Sequence, residues 1–356
     1  MNVFKSMTIG LSTLALLSPG AYVFAQGTVG PNGEAATAHT SLELTEAEID
    51  TLRQGGHTAA LLWHASGDFM QAVTSGIQDE FERMGVSVVA AADASFDASR
   101  QLSDVETALA RNPSAIISLP VDPIASAAAF RPALEAGTKL IFLSNTPQGY
   151  RHPNDYVATA TDDVYEMGAA AALALAEALG DAGRIAMIYY DADFYVTNLY
   201  DRGFRETLES RFPGLEIVLE RGFSDPARVD EVTAAALTEY PDLDGIYVTW
   251  SEPAEGAVAA LREAGNTTTK LVTLGISEPL ALDMIAGGNV VAIVVDRAYE
   301  LGRTLAIATG YGLLGKPAPA FITVGPAVTV TRENVAEGWT ISLHQDPPAS
   351  VVNALD

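Results

Sequence analysis

Leu61-Leu62-Trp63-His64-Ala65-Ser66-Gly67-Asp68-Phe69 is an apolar strand that runs out into polar and aromatic residues and then into a helix. The same arrangement recurs at intervals as far as Asp296. In open α/β sheets, the residues just past parallel strands line one edge, and small molecules bind along it. Working outward, strand patterns fall at His57–Trp63, Val86–Ala91, Ala115–Leu119 and Lys139–Leu143. Helical patterns lie between them at Gly67–Met84, Ala98–Arg111 and Pro123–Ala136. In the second helix Leu102, Val105 and Leu109 fall at helical spacing, and Asn112-Pro113 is the stop. After Tyr156–Ala160 the alternation restarts, with strands at Arg184–Tyr189, Glu216–Leu219, Gly245–Val248, Leu271–Leu274 and Val290–Val295. A last helix, Asp296–Leu314, leads to a closing segment at Phe321–Val330. Near-continuous apolar strands joined by helices mean parallel sheets covered on both faces, here as two successive α/β units.

Composition narrows the function classes. The 356 residues are 48% apolar and suffice for two or three domains. Forty-five acidic residues stand against 20 basic ones, a formal charge of −25 that disfavours nucleic acid and anionic membranes as partners. No cysteine is present, which excludes disulfides, thiolate metal sites, a cysteine nucleophile and a lipid-modified N-terminal cysteine. Lys5, the apolar run Met7–Leu17, and Val23-Phe24-Ala25 before Gln26 form a signal-peptide pattern over residues 1–25, which implies export to the periplasm without a lipid anchor. Residues 26–56 read as a leader, flexible to Ser41, followed by a short helix that Thr45 and Glu48 open as a capping box.

The candidate site residues are those beyond the strand ends. They are Trp63, His64, Ser66, Asp68 and Phe69, then Leu119, then Ser144 and Asn145 in the first unit. In the second unit Tyr195, Trp250, Ser277 and Asp296 take the same positions. Aromatic faces beside carboxylates, amides and hydroxyls suit a polyhydroxylated ligand, whose C–H faces lie on rings and whose hydroxyls need both donors and acceptors. Each position has a structural alternative: Trp63 and Phe69 as core, His64 as a structural histidine, Asp68 and Asp162 as helix caps, the last favoured for Asp162. Asp296, between an apolar strand and a helix, can serve as both N-cap and ligand acceptor. Enzyme signatures are weak. The five histidines lack metal-ligand spacing, Asp191-Ala192-Asp193 reads as a loop, and Ser66 lacks a nucleophile-elbow context. Gly27–Gly33 follows no strand, so it is neither a phosphate loop nor a dinucleotide fingerprint. No cofactor or metal is expected.

The combination of several pieces resembles a known family. They are the strand into Gly67-Asp68-Phe69, Ser118-Leu119-Pro120-Val121-Asp122, Ala160-Thr161-Asp162-Asp163, and Asp201-Arg202-Gly203-Phe204. Tyr240-Pro241-Asp242-Leu243-Asp244-Gly245, Ala254-Glu255-Gly256-Ala257 and Asp296-Arg297 complete the series. Together they resemble the type I periplasmic solute-binding proteins of ABC transporters, the ribose-binding cluster, over roughly His57–Val330. The resemblance implies two Rossmann-like lobes joined by a three-segment hinge, with the ligand in the cleft. Lobe 1 would comprise 57–161 plus 296–323, and lobe 2 would comprise 162–295 plus 324–356. It implies ligand contacts at Trp63, Gly67, Phe69, Met70, Leu119, Ser144, Asn145, Tyr195, Asn198, Trp250, Ser277 and Asp296. Ribose binders carry Asp-Arg where this chain has Ser144-Asn145, Asn at Trp250 and Asp at Ser277, which implies a less charged, more aromatic pocket. The expected function is capture of a sugar or polyol by hinge closure and delivery, as a monomer, to an ABC permease in the inner membrane. Competing readings are a ligand carrier for a chemotaxis or signalling receptor, a repressor-type regulator and a secreted α/β enzyme. The regulator needs a basic helix-turn-helix, whereas residues 1–56 hold only Lys5 and Arg53 as basic groups.

Overall fold

The apolar strands pair into two sheets. The computed structural model of the protein describes residues 27–180 and 182–355, and the signal-peptide pattern lies outside them. The leader contributes β1 (Thr37–Ala38) and α1 (Glu46–Gly55). Then come β2 (Thr58–Trp63), α2 (Asp68–Met84), β3 (Ser87–Asp93), α3 (Ala98–Leu109) and β4 (Ala115–Ser118). The expected single helix over 123–136 divides at Phe130 into α4 (Pro123–Ala129) and α5 (Arg131–Glu135), because Pro132 belongs to a new first turn. β5 (Lys139–Leu143) and β6 (Ala158–Asp162) follow. The second unit runs α6 (Val164–Leu179), β7 (Gly183–Tyr190), α7 (Tyr195–Arg211), β8 (Leu215–Phe223), α8 (Val229–Glu239) and β9 (Gly245–Val248). It continues with α9 (Ser251–Glu263), β10 (Lys270–Leu274), α10 (Glu278–Ile285), β11 (Val290–Val295) and α11 (Ala298–Leu314). β12 (Phe321–Val324), β13 (Val328–Val330), α12 (Val335–Leu343) and α13 (Ala349–Leu355) close the described chain.

The first sheet has the order β1-β12-β6-β5-β4-β2-β3 and the second β13-β11-β10-β9-β7-β8. All pairings are parallel except β11 with β13. Central strands such as β4 and β9 are buried at every residue, whereas the edge strand β8 is buried only at Leu215, Leu219 and Phe223. The chain passes between the sheets three times: after Asp162, after Val295, and between Val324 and Val328. The α/β class with two helix-flanked parallel sheets is therefore as the sequence implied.

Local packing corrects two expectations. The inward face of α3 is Gln101, Val105 and Ala108, and Leu102 is exposed. The Gln101 amide wins that face because it donates to the Leu119 carbonyl at 2.9 Å and accepts from the Val121 N–H at 3.0 Å, which fixes the loop after β4. The leader to Ser41 is not loose either: β1 adds to the edge of the first sheet, and α1 carries the Thr45–Glu48 capping box.

Against each sheet packs a helix pair joined through reciprocal glycines. A Cβ on Gly168 of α6 would lie 2.0 Å from the Tyr200 carbonyl oxygen, and one on Gly203 of α7 2.3 Å from that of Tyr165. Gly76 of α2 and Gly302 of α11 approach each other's backbones in the same way. No rotamer relieves a clash with backbone, so Gly168→Ala should destabilise the protein by about 1–3 kcal/mol. A lowered urea midpoint with unchanged m-value is the expected measurement.

Candidate functional site

The C-terminal ends of both sheets face one another across a cavity of about 360 Å³. Nearly every loop in its wall follows a strand. The turn after β2 supplies His64, Ser66, Asp68 and Phe69, the ends of β4 and β5 supply Leu119 and Ser144, and β6 ends on Asp162. Opposite them stand Phe194, Thr197 and Tyr200 on and before α7, Trp250, Ser251, Glu252 and Glu255 before and on α9, and Ile276-Ser277 after β10. Asp296 follows β11, and Ser342-Leu343 reach in from the end of α12.

Nine of the thirteen expected residues meet here: His64, Ser66, Asp68, Phe69, Leu119, Ser144, Trp250, Ser277 and Asp296. The other four do not. Trp63 is the last residue of β2, so its alternating side chain turns into the core, with Nε1 donating to Thr74 Oγ1 at 3.1 Å. Asn145, Tyr195 and Asn198 line a second hollow on another flank of the cleft. Asn145 spends both ends of its amide on backbone, donating to the Pro120 carbonyl and accepting from the Val196 N–H. At the start of α7 the register differs by one residue from the expected one: Phe194 enters the cavity, and the Tyr195 hydroxyl donates to the Val29 carbonyl instead.

Asp162, which its sequence context favours as a helix cap, has a different place. The next residue, Asp163, is the cap of α6, its Oδ1 accepting from the Glu166 N–H at 3.4 Å. This frees Asp162, buried at the end of β6, to face the cavity beside Asp296. Asp162 Oδ1 accepts from the Arg297 N–H at 3.0 Å, and Asp296 Oδ1 accepts from the Ser342 hydroxyl at 2.8 Å. Burial pushes the Asp296 carboxyl up to about 6. Burial and then the charge of Asp296 push Asp162 well above the usual carboxylate range. The doublet Asp162-Asp163 was the available signal, since one cap position cannot use both acids.

Rings close the outer end. Phe96, which no strand-end pattern marks, follows Ser95 in a turn where both have positive φ, 50° and 58°. Asp93 Oδ1 accepts from the Ser95 N–H, and the Phe96 N–H donates to the His64 carbonyl at 2.7 Å, which together hold the turn. The Phe96 ring thereby leaves the first sheet's edge and stacks 6.2 Å from Trp250, with Tyr190 at 6.0 Å and Phe194 at 6.3 Å. His64 meets Phe96 edge-on at 5.0 Å. Burial lowers the His64 imidazole to about 4, so the ring is neutral at neutral pH.

The chemistry of the wall is one-sided. Asp68, Asp162, Glu252, Glu255 and Asp296 line it, and no lysine or arginine does among the described residues. Among the described residues, His64 Nδ1 and Ser277 Oγ are buried without a protein partner. The helices α2, α9 and α10 all begin at the wall without a side-chain cap. Their first N–H groups are donors that complement the carboxylate acceptors. Among the described residues no cluster of acids and histidines has the geometry to hold a metal ion.

The family follows from comparison with known proteins. The model for the periplasmic binding protein domain matches residues 59–316, and the chain belongs to that family. It is 31% identical to the ABC transporter periplasmic-binding protein YphF of Escherichia coli over 58% of this chain, a match spanning 64% of that relative, a little under two thirds of its length. It is 24% identical to the ribose import binding protein RbsB of Bacillus subtilis over 70% of this chain and 78% of that one. Its fold matches a carbohydrate transporter solute-binding protein of Agrobacterium radiobacter, solved with D-arabinose, at a TM-score of 0.72 and 20% identity, over 81% of this chain and 99% of that one.

The wall's acids and rings each have a measurable consequence. An acid raised in the folded state favours folding most below its unfolded pKa and loses that contribution as pH rises through its folded value. Asp296 should therefore cost stability between about pH 4 and pH 6 and above. Asp296→Asn should flatten the fall in melting temperature over that range by thermal scans in matched buffers. For the rings, Phe96→Ala should cost about 1–3 kcal/mol of the contacts joining the two sheets' loops. Faster amide exchange at Phe194 and Trp250 would report it.

Proposed function

We propose that the protein is the periplasmic substrate-binding component of an ABC importer, taking a neutral sugar or polyol into the cavity between the sheets. The observation that carries this is the pairing, in one cavity, of aromatic faces with buried hydrogen-bonding groups still open to a guest: the Asp162–Asp296 pair, Ser277 Oγ and His64 Nδ1. Trp250, Phe96 and Phe69 offer faces to C–H groups, the carboxylates accept from hydroxyls, and the helix N-termini donate to them. An acid-lined wall with no basic side chain among the described residues disfavours sugar acids and phosphates by like-charge repulsion.

The mechanism is closure about the three crossovers. Lobe 1 is read as 57–161 plus 296–323 and lobe 2 as 162–295 plus 324–356, with Asp162 and Asp296 at two of the junctions. A guest that touches both lobes stabilises the closed form by its differential affinity for it, and the closed surface docks on an inner-membrane permease. This reading makes the protein a binder and not a catalyst, exported by residues 1–25.

Titration calorimetry with D-ribose, D-arabinose and myo-inositol, beside mass spectrometry of what co-purifies, tests the proposal. At least one should bind, D-glucuronate should not, and Asp296→Ala should weaken binding at least tenfold, the loss of a charge-assisted hydrogen bond of about 1.5–3 kcal/mol. Absence of any bound or co-purifying polyol would remove the proposal's support.

A further inference from the structure

We propose that residues 27–34, which precede the family-matched region, are a strap that ties the two lobes together and restrains opening of the cleft. The anchors divide between the lobes. On the second, Thr28 Oγ1 donates to Asp163 Oδ1 at 2.5 Å and accepts from the Tyr165 N–H at 2.9 Å, while the Tyr195 hydroxyl donates to the Val29 carbonyl. On the first, Arg151 Nη1 donates to Asn32 Oδ1 at 2.5 Å and the Tyr156 hydroxyl donates to Glu34 Oε1 at 2.9 Å. β1 then continues the segment into the first sheet beside β12.

The strap has no slack. Gly30 and Glu34 are joined by a backbone bond of 2.8 Å, Gly33 N–H returns to the Gly30 carbonyl, and Gly33 has φ 85°. A Cβ on Gly30 would meet Glu34 Oε2 at 2.4 Å and the Phe321 ring at 3.0 Å, so the turn is built to this site. Asn32 lies three residues beyond Val29, at most about 10 Å when fully extended. Opening on this flank must therefore unfold the turn or release one anchor set. The same span walls the second hollow, where Asn145, Tyr195 and Asn198 lie. The strap thus occupies a part of the cleft that the family resemblance assigns to ligand contact.

The test needs no ligand, so its outcome is separate from that of the transport proposal. The chain has no cysteine, which leaves Ile124→Cys and Ser224→Cys, both exposed and on different lobes, as unique spin-label sites. Pulsed dipolar distances would be compared between purified parent protein, the Thr28→Val/Tyr195→Phe variant, and a variant with four glycines inserted after Val29. The insertion keeps every anchor and adds only slack, so it decides the matter if the first variant folds poorly. Each released hydrogen bond of about 1 kcal/mol shifts the open–closed ratio about fivefold. Both variants should therefore populate longer distances at least fivefold more than the parent. Distance distributions identical to the parent's in the folded insertion variant would overturn the proposal.

Discussion

Two carboxylates cannot be buried side by side and both remain charged, and this constraint sits at the centre of the molecule. β6 ends on Asp162 and β11 gives way to Asp296, so the crossovers that join the sheets bring the buried acids together at the cavity wall. The Arg297 N–H and the Ser342 hydroxyl relieve part of the cost, and the raised pKa of both acids favours protonation, which relieves more. Tyr200 closes the same corner, its hydroxyl held protonated by burial and by both acids. In the proposed function, a hydroxyl-rich guest completes the hydrogen bonds of this costly pair.

The flanks of the cleft are held by weaker and more numerous contacts. At the outer edge, rings from the first sheet's loops meet Tyr190, Phe194 and Trp250 of the second. At the opposite edge, beside β12, the strap spans from Asp163 to Arg151. Each ring pair is worth about 1 kcal/mol and each hydrogen bond to a charged group about 1.5–3 kcal/mol, comparable to the few kcal/mol that separate open and closed forms of hinged proteins. In the proposed closure, contacts of that size bias the hinge without locking it.

The architecture was legible because parallel sheets write themselves plainly. Continuous runs such as Val290–Val295 suit only strands buried on both faces, and proline in the first turn of α10 marks where its helix starts. Strand-end logic located nine residues of the wall for the same reason. It failed at Trp63 and Tyr195, where one residue of register reverses the side chain's direction, and at Asp162, where two adjacent acids competed for one cap.

Element order, fold class and the edge of each sheet that carries polar and aromatic residues are properties of local pattern, and the sequence by itself determined them. Which acids meet, which rings cross between the sheets and where residues 27–34 dock were decided only in tertiary structure. These contacts join residues more than a hundred positions apart, such as Thr28 with Asp163 and Phe96 with Trp250. No periodicity encodes such a pairing, because the geometry that creates it is the relative placement of two independently built sheets.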